Sequence, residues 1–237
     1  MDVTPGGWTV IDRGRGVLAR TYTFGKQGTS WCFVARLGDG RLMVVSPATG
    51  LDEAAYAELA EFGEVGALVA NNGFHYLGQA AWRARFPRAV AYAPPEAMAR
   101  IAKKAFGLGG FTPLGELATG ADVGMRVVER TKLGECWCWA RIDGGWAWFA
   151  SDTLINLPIV PGPLPVRLLF KWTGSAPGFR VFNLALKLIA RDKPALLRQL
   201  RADLAAHPPT LMMPAHGDLV VGAQAAIVAE AAIAAVT

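Results

Sequence analysis

Two Asp-Gly turns place the strongest constraint on how this 237-residue chain folds. Asp39-Gly40 lies between "SWCFVAR" and "RLMVVSP", and Asp143-Gly144 lies between "CWCWARI" and "WAWFAS". Runs rich in aromatic and β-branched residues on both sides of such a turn are typical of β-hairpins. The sequence therefore predicts a hairpin-rich sheet in each half of the chain.

Between the two hairpins the hydrophobic period changes to that of a helix. In "LDEAAYAELAEFG" the apolar residues recur at helical spacing, and Gly63 supplies a stop. Strand-like and helix-like segments then alternate through "VGALVANN", "LGQAAWRARFP", "RAVAYAPP" and "PEAMARIAKKAFG". Such alternation is typical of helices that cover a sheet. We therefore predict an α/β (α+β) fold, a four-layer αββα sandwich formed as a single domain over residues 1–237.

A proline- and glycine-rich excursion at about 157–190 follows the second hairpin, and the sequence predicts a loop and two short apolar helical pieces there. Its aromatic and basic residues are Phe170, Trp172, Phe179, Phe182, Arg167, Lys171, Arg180 and Lys187. The segment is either a helical excursion packed on its own sandwich, or a lid or membrane-surface patch. Asp192 then provides an N-cap for a further helix, which a strand, "TLMMPAHGD", and an Ala-rich helix follow.

Composition excludes several classes of protein. Hydrophobic residues make up 52% and charged residues 18%, which indicates a large core and excludes a disordered chain. The net charge of +5 is scattered, so we expect a small-molecule partner and no nucleic acid. Cys32, Cys136 and Cys138 lack zinc-ribbon spacing and are interpreted as buried thiols. We see neither a signal peptide nor a spanning apolar run, and expect a cytoplasmic protein.

Histidine chemistry in this chain is restricted to three residues. His75 and His216 each close a strand-like segment, and Asp152 closes "WAWFASD" in the same way. Two imidazoles and a carboxylate at one sheet edge suit a zinc, iron or manganese ion with an open position. Each residue also has a structural interpretation as a turn or cap residue. His207, after a helix, is predicted to face solvent.

The order of these segments resembles the metallo-β-lactamase superfamily. That family has a strand ending in T-H-x-H-x-D-H-x-G, then an aspartate in a G-D-T/S-like turn, then a histidine in a P-G-H-G-like turn. Here "ANNGFHYLG", "ASDTLIN" and "PAHGD" stand in those three places. The resemblance covers nearly the whole chain. It implies an αββα sandwich and metal-dependent hydrolysis.

The departures from the family pattern imply a degenerate metal site. With Gly78 on the last glycine of the first signature, Asn71 and Gly73 replace two histidines, His75 replaces the aspartate and Tyr76 the final histidine. No histidine occurs from residue 76 to residue 206, so the first metal pocket lacks all three of its imidazoles. Ser46 and Pro47 likewise stand where the family has an acidic turn. A dinuclear site is therefore excluded.

Two functions remain open from the sequence. In the first, the chain is a hydrolase in which His75, Asp152 and His216 hold one divalent ion and Asp152 and His216 are catalytic. The residues expected to contact its substrate are Asn71, Asn72 and Tyr76. In the alternative, the chain is a metal-free, inactive module that binds a ligand or partner. No residue selects a substrate.

Overall fold

A computed structural model, which describes residues 1–105 and 107–236, shows two main β-sheets with helices outside them. Within these residues the larger sheet has eight strands, hydrogen-bonded in chain order. They are β1 (Asp2–Val3), β2 (Thr9–Asp12), β3 (Val17–Phe24), β4 (Gly28–Arg36), β5 (Leu42–Val45), β6 (Val65–Val69), β7 (Val90–Ala93) and β8 (Thr112–Pro113). Strands β1 to β5 pair antiparallel, and β5 to β8 pair parallel. The predicted first hairpin is β4 and β5.

The second sheet contains five strands over the described part of the chain, in the order β15-β14-β11-β10-β9. The remaining strands are β9 (Val123–Val127), β10 (Cys136–Ile142), β11 (Gly145–Phe149), β12 (Leu154–Leu157), β13 (Gly178–Val181), β14 (Pro209–Met213) and β15 (Val220–Val221). The predicted second hairpin is β10 and β11, and β11 also pairs parallel with β14. Strands β12 and β13 form a separate antiparallel pair.

Helices separate the parallel strands and cover both sheets. They are α1 (Glu53–Glu58), α2 (Gln79–Arg85), α3 (Pro95–Lys104), α4 (Leu164–Trp172), α5 (Asn183–Ile189), α6 (Lys193–Ala206) and α7 (Gln224–Ala234). The predicted N-cap at Asp192 is present, because its side chain accepts a hydrogen bond from the Ala195 amide. Helices α1, α2 and α3 lie between successive strands β5 to β8, which is why those strands run parallel.

Three apolar clusters define the layers. The central cluster lies between the sheets, where Phe33 of β4 stacks on Phe149 of β11 with ring centroids 6.2 Å apart. On β10, Cys136 and Cys138 face this cluster, whereas Trp137 and Trp139 face the helices on the other side, as strand alternation predicts. The three cysteines are free and buried.

Helices close both outer faces of the sandwich. Tyr56 of α1 and Trp82 of α2 pack on the outer face of the larger sheet, in edge-to-face contact with centroids 5.1 Å apart. Leucines of α6 and alanines of α7 cover the smaller sheet, with Leu197 and Leu200 fully buried. The predicted four-layer αββα sandwich is therefore confirmed. Its layers hold the strand ends that carry the candidate site.

The structure corrects two sequence predictions. The segment at about 157–190 was predicted as a loop with two helical pieces; it does contain α4 and α5, but β13 also pairs with β12. The prolines of this segment interrupt its hydrophobic pattern, so a strand of four residues is not recognisable from the sequence. His207 does not face solvent freely, because its ring stacks on Trp139 with centroids 4.6 Å apart and meets the Trp146 ring edge-on. The helix end is folded back onto the tryptophan-rich sheet face.

None of the helices within residues 1–105 and 107–236 combines the length and the apolar character needed to cross a bilayer.

Candidate metal centre

The candidate site lies where strands of both sheets end. Asp152 follows β11 in a short 3₁₀ turn, and His216 follows its parallel neighbour β14, so adjacent strands deliver both residues to one edge. His75 follows β6 of the other sheet. A hydrogen bond from the Trp31 amide to the Ala215 carbonyl, 3.0 Å long, joins the two sheets at this edge. The fold thus brings together residues that are far apart in sequence.

The three side chains predicted from the sequence converge. Nε2 of His75 is 3.2 Å from Oδ2 of Asp152, and Nε2 of His216 is 3.1 Å from Oδ1 of the same carboxylate. One ligand atom from each residue lies within 4.8 Å of the others. His75 and Asp152 are buried, and His216 is partly buried. This separation matches a set of ligands around one ion.

Both imidazoles are oriented through their other ring nitrogen. Nδ1 of His216 donates to the Thr29 carbonyl at 2.7 Å, which places the lone pair of the neutral ring on Nε2. Nδ1 of His75 is 2.8 Å from the Ser46 hydroxyl, which is itself 2.8 Å from the Tyr22 hydroxyl. Metal-binding histidines are held in this way in proteins. Each ring therefore presents Nε2 to the carboxylate.

The electrostatic interactions among His75, Asp152 and His216 favour a positive charge between them. Burial raises the pKa of Asp152, but the imidazoles of His75 and His216 outweigh that effect and hold the pKa well below 3.8. Burial lowers the pKa of His216, but the facing carboxylate of Asp152 outweighs that effect and raises the pKa above 6.5. A neutral His216 would point its lone pair at a carboxylate oxygen. Either a proton or a metal ion resolves that repulsion.

An unpaired buried oxygen shows that these residues fit a cation. Among the described residues, no well-aligned hydrogen-bond donor reaches Oδ1 of Asp152, although Nε2 of His216 is 3.1 Å away. Buried polar atoms rarely lack a partner. An anionic oxygen facing two imidazole nitrogens is a donor set that divalent zinc, iron and manganese accept.

Comparisons with known proteins agree on the fold. No protein-family model matches the sequence, and no curated protein matches it significantly. Among solved structures, the DIM-1 metallo-β-lactamase matches over 100% of both chains, with a TM-score of 0.59 and 11% identity. FIM-1 from Pseudomonas aeruginosa, in its mono-zinc form, matches over 98% of each chain with a TM-score of 0.54 and 14% identity.

A third neighbour is a flavoprotein. The putative diflavin flavoprotein A 5, fragment 1-254, from Nostoc sp. PCC 7120 matches over 98% of this chain and 96% of its own, with a TM-score of 0.61 and 10% identity. The chain has the metallo-β-lactamase fold. Identities of 10 to 14% establish this architecture and leave the reaction open.

Ser46 occupies a special position in this metallo-β-lactamase fold. It follows β5 and has a left-handed backbone conformation, with φ of 53°, which is uncommon for a residue other than glycine. Its amide donates to the Val69 carbonyl, and its hydroxyl is directed at His75. Sequence analysis noted Ser46 only as a departure from the family signature. The available signal was a single polar residue between a buried strand and Pro47.

A second buried carboxyl group lies behind Asp152. The Asn72 side-chain amide donates to Oδ2 of Asp152 at 2.9 Å and to Oε2 of Glu135 at 3.0 Å. Burial raises the pKa of Glu135 well above 4.5, and the charge of Asp152 raises it further. Glu135 therefore holds a proton more readily than Asp152 does. Sequence reasoning missed Glu135, because only the fold brings it next to Asn72.

Of the three residues predicted to contact substrate, Asn72 is the one with a hydrogen bond to a candidate ligand, Asp152, among the described residues. Asn71 and Asn72 are fully buried, and Asn71 donates to the Ser151 hydroxyl. Tyr76 packs with alanines and an isoleucine around α3 and does not line the cleft at the candidate ligands. Their role in substrate binding stays a prediction. What the structure adds is that Asn72 fixes the carboxylate of Asp152.

An apolar cleft of about 300 Å³ opens onto the candidate ligands. Besides His75, Asp152 and His216, its lining includes Tyr22, Phe24, Phe74, Leu77, Phe182 and Leu188. A second cleft of about 250 Å³ shares Phe24, Phe182 and His216 with the first. The candidate site is thus a small group of polar atoms within an apolar surround, which is typical of small-molecule sites.

Proposed function

We propose that this chain is a metal-dependent hydrolase with one divalent ion, zinc, iron or manganese, held by His75, Asp152 and His216. The observation that carries the proposal is the unpaired oxygen of Asp152, which faces the Nε2 atoms of two oriented imidazoles. FIM-1 has a related fold and was solved in a mono-zinc form, which is a precedent for one ion in this architecture. No histidine stands at the positions of the other pocket, so a single ion is proposed.

The chain's own residues would position both the ion and the substrate. A divalent ion supplies Lewis-acid polarisation of a carbonyl or phosphoryl oxygen and lowers the pKa of water. Asp152 supplies the negative charge, and Asn72 holds one of its oxygens in place. Ser46 and the Thr29 carbonyl fix the two imidazoles. Phe24 and Phe182 exclude water from the cleft beside His216 and would hold an apolar part of a small-molecule substrate.

Metal analysis coupled to activity tests this proposal. The protein would be stripped with chelator, reconstituted with zinc, iron or manganese, dialysed, and analysed for bound metal. We expect one ion per chain, loss of that ion in His216→Ala, and metal-dependent hydrolysis of a member of an ester, thioester, lactone, phosphodiester and lactam panel. His207→Ala is the matched control, because His207 stacks on Trp139 away from the site. A wild-type protein that retains no metal would contradict the proposal.

A second candidate function is a metal-free ligand-binding module. The observation in its favour is that a protonated His216 completes the charge balance with Asp152, so a proton can take the place of the ion. The apolar cleft would then bind its ligand without chemistry. Binding of an apolar fluorescent probe that is unchanged by metal and by Asp152→Asn would favour this function over hydrolysis.

We place the protein in the cytoplasm. The support is its three free, buried cysteines, which a reducing compartment keeps as thiols. Fractionation of cells that express the tagged chain would test this location.

A further inference from the structure

Helix α4 presents an apolar surface to solvent. The structure describes all nine of its residues, Leu164–Trp172, and none is buried. The exposed fractions are 65% for Leu164, 40% for Leu168, 44% for Leu169 and 84% for Trp172. A helix on a globular protein normally turns its apolar stripe towards the core. The outer face of α4 is thus without a partner among the described residues.

Another side of α4 already packs against the rest of the protein. Leu164, Leu168 and Trp172 follow one another at spacings of four, which places them along one side of the helix. Val166 and Phe170 lie on another side and line the 250 Å³ cleft next to His216. Phe170 also contacts Phe182, with ring centroids 5.6 Å apart. Because α4 packs through this side, its exposed leucines and Trp172 form a second, separate apolar face.

The charged residues of the segment that carries this face have one sign. Residues 153–191 include no aspartate or glutamate, and their basic residues are Arg167, Lys171, Arg180, Lys187 and Arg191. Arg167 and Lys171 belong to α4 itself, are exposed, and form no ion pair with any described residue. A second copy of this chain docked on the same face would bring like charges together. The complementary partner is therefore anionic as well as apolar.

We propose that α4 docks on an anionic membrane surface, with Leu168 and Trp172 entering the lipid interface and Arg167 and Lys171 meeting lipid phosphates. An apolar face with a tryptophan, flanked by basic residues, is the pattern of interfacial helices. Docking in this orientation places the cleft that α4 walls beside the bilayer. The inference goes beyond the proposed hydrolysis and does not depend on it, since lipid binding needs neither metal nor turnover.

Vesicle co-sedimentation of the full chain tests the docking directly. The probes are vesicles of phosphatidylcholine alone and of phosphatidylcholine mixed with phosphatidylglycerol. We expect binding to the anionic vesicles at low salt and weaker binding at high salt, because screening reduces the attraction to lipid phosphates. Leu168→Ser with Trp172→Ser should weaken binding about tenfold or more, because the apolar anchor is lost. Ile227→Ser is the matched control, since Ile227 is 68% exposed and belongs to a different helix, α7.

Removing charges tests whether vesicle binding depends on α4 or on the net positive charge of the whole chain. Arg167→Gln with Lys171→Gln should weaken binding to anionic vesicles on the order of tenfold. Arg13→Gln with Arg88→Gln removes the same charge from exposed residues elsewhere and should leave binding within about twofold of wild type. Equal losses in both pairs would overturn the proposal, because binding would then follow net charge.

Lipid quenching provides a readout that does not depend on how the serine variants fold. Vesicles with brominated acyl chains should quench the fluorescence of wild type, and Trp172→Phe, which keeps an apolar anchor, should bind while losing most of that quenching. Absence of vesicle binding, quenching that survives Trp172→Phe, or sedimentation showing that this face instead forms a dimer would each overturn the proposal.

Discussion

The two ends of the sandwich each carry a cleft, and the larger one lacks the chemistry. At the end formed by the β2–β3 and β4–β5 turns, a cleft of about 1070 Å³ is lined by Arg15, Arg141, Asp122 and Asp143. At the opposite end, the cleft beside Asp152 measures about 300 Å³. Cleft volume alone would select the end that does not carry the candidate ligands.

The difference lies in how the charges are satisfied. In the larger cleft arginines and aspartates pair with one another, as in the 3.1 Å contact between Arg15 and Asp122. The side chains of Arg15, Arg141 and Asp122 are 37 to 61% exposed. Such pairs contribute about 0 to 1 kcal/mol each. In the smaller cleft Asp152 is buried, and no described residue offers one of its oxygens a well-aligned donor. Burial of the carboxylate, more than cleft size, therefore distinguishes the end that carries the candidate site.

The largest effect is expected on metal retention, which should be lost after substitution at one end of the sandwich and kept after substitution at the other. Asp152→Asn removes the carboxylate of the candidate ligand set and should abolish stoichiometric retention of zinc, iron and manganese. Asp143→Asn makes the same change in the larger cleft, where the side chain is 97% exposed, and should retain metal as wild type does. Metal analysis after dialysis checks both variants, and metal retention by Asp152→Asn would count against the assignment.

A smaller effect is expected from the residue that orients His75. Ser46→Ala removes the hydroxyl at Nδ1 and should lower metal affinity about 10- to 100-fold, because the imidazole loses its orienting partner. Competition titration against a metal-sensitive dye measures the change. Tyr22→Phe, which removes the hydroxyl that contacts Ser46 at 2.8 Å and Nδ1 of His75 at 3.4 Å, should have a smaller effect. Wild-type affinity in Ser46→Ala would show that Ser46 does not hold the ring.

Loss of a buried polar contact should lower the free energy of unfolding more than loss of an exposed one. Asn72→Ala leaves carboxyl oxygens of Glu135 and Asp152 without their shared donor and should cost about 1 to 3 kcal/mol of unfolding free energy. Arg15→Gln in the larger cleft should cost less than about 1 kcal/mol. Urea unfolding of the metal-free proteins measures both. Equal costs would remove the distinction between the two ends.

The smallest effect is a pH dependence of the metal-free protein. The pKa of His216 is raised above 6.5 in the folded state, so its stabilisation is complete below pH 6.5 and is lost as pH rises through the raised pKa. Asp152 has the opposite sign, since its lowered pKa gives stability above pH 3.8 that is lost as pH falls through the folded value. One proton changes stability by at most about 1.4 kcal/mol per pH unit.

Unfolding with chelator present would resolve the alkaline part of this dependence. His216→Gln should flatten the decline above pH 6.5, whereas Asp143→Asn should follow the wild-type curve. A decline of the same slope in His216→Gln would mean that another group is responsible.

Local sequence signals were sufficient for the two central hairpins and for the alternating strands and helices that follow the first one. The turns at Asp39 and Asp143 and the helix spacing of "LDEAAYAELAEFG" depend on near neighbours, which a single sequence displays. The strand β13 escaped prediction because four residues beside Pro177 carry too little pattern. Similarly, the stacking of His207 on Trp139 depends on a contact between distant segments.

Of the candidate site, only the three proposed ligand residues could be predicted from the sequence. Strand ends identified His75, Asp152 and His216, because each follows an apolar run. The residues that orient them were not predicted, since Ser46 and Glu135 meet their partners across 29 and 63 positions of sequence. Only the packed sandwich shows that Asn72 joins two buried carboxyl groups.

Anomalous scattering from crystals grown with zinc, iron or manganese would show whether His75, Asp152 and His216 hold one ion. We predict a single anomalous peak within bonding distance of Nε2 of His75, Nε2 of His216 and a carboxylate oxygen of Asp152, at about 2.0 to 2.2 Å for zinc. A metal-replete crystal with no peak among these three residues, or with its peak in the cleft at the opposite end, would contradict it.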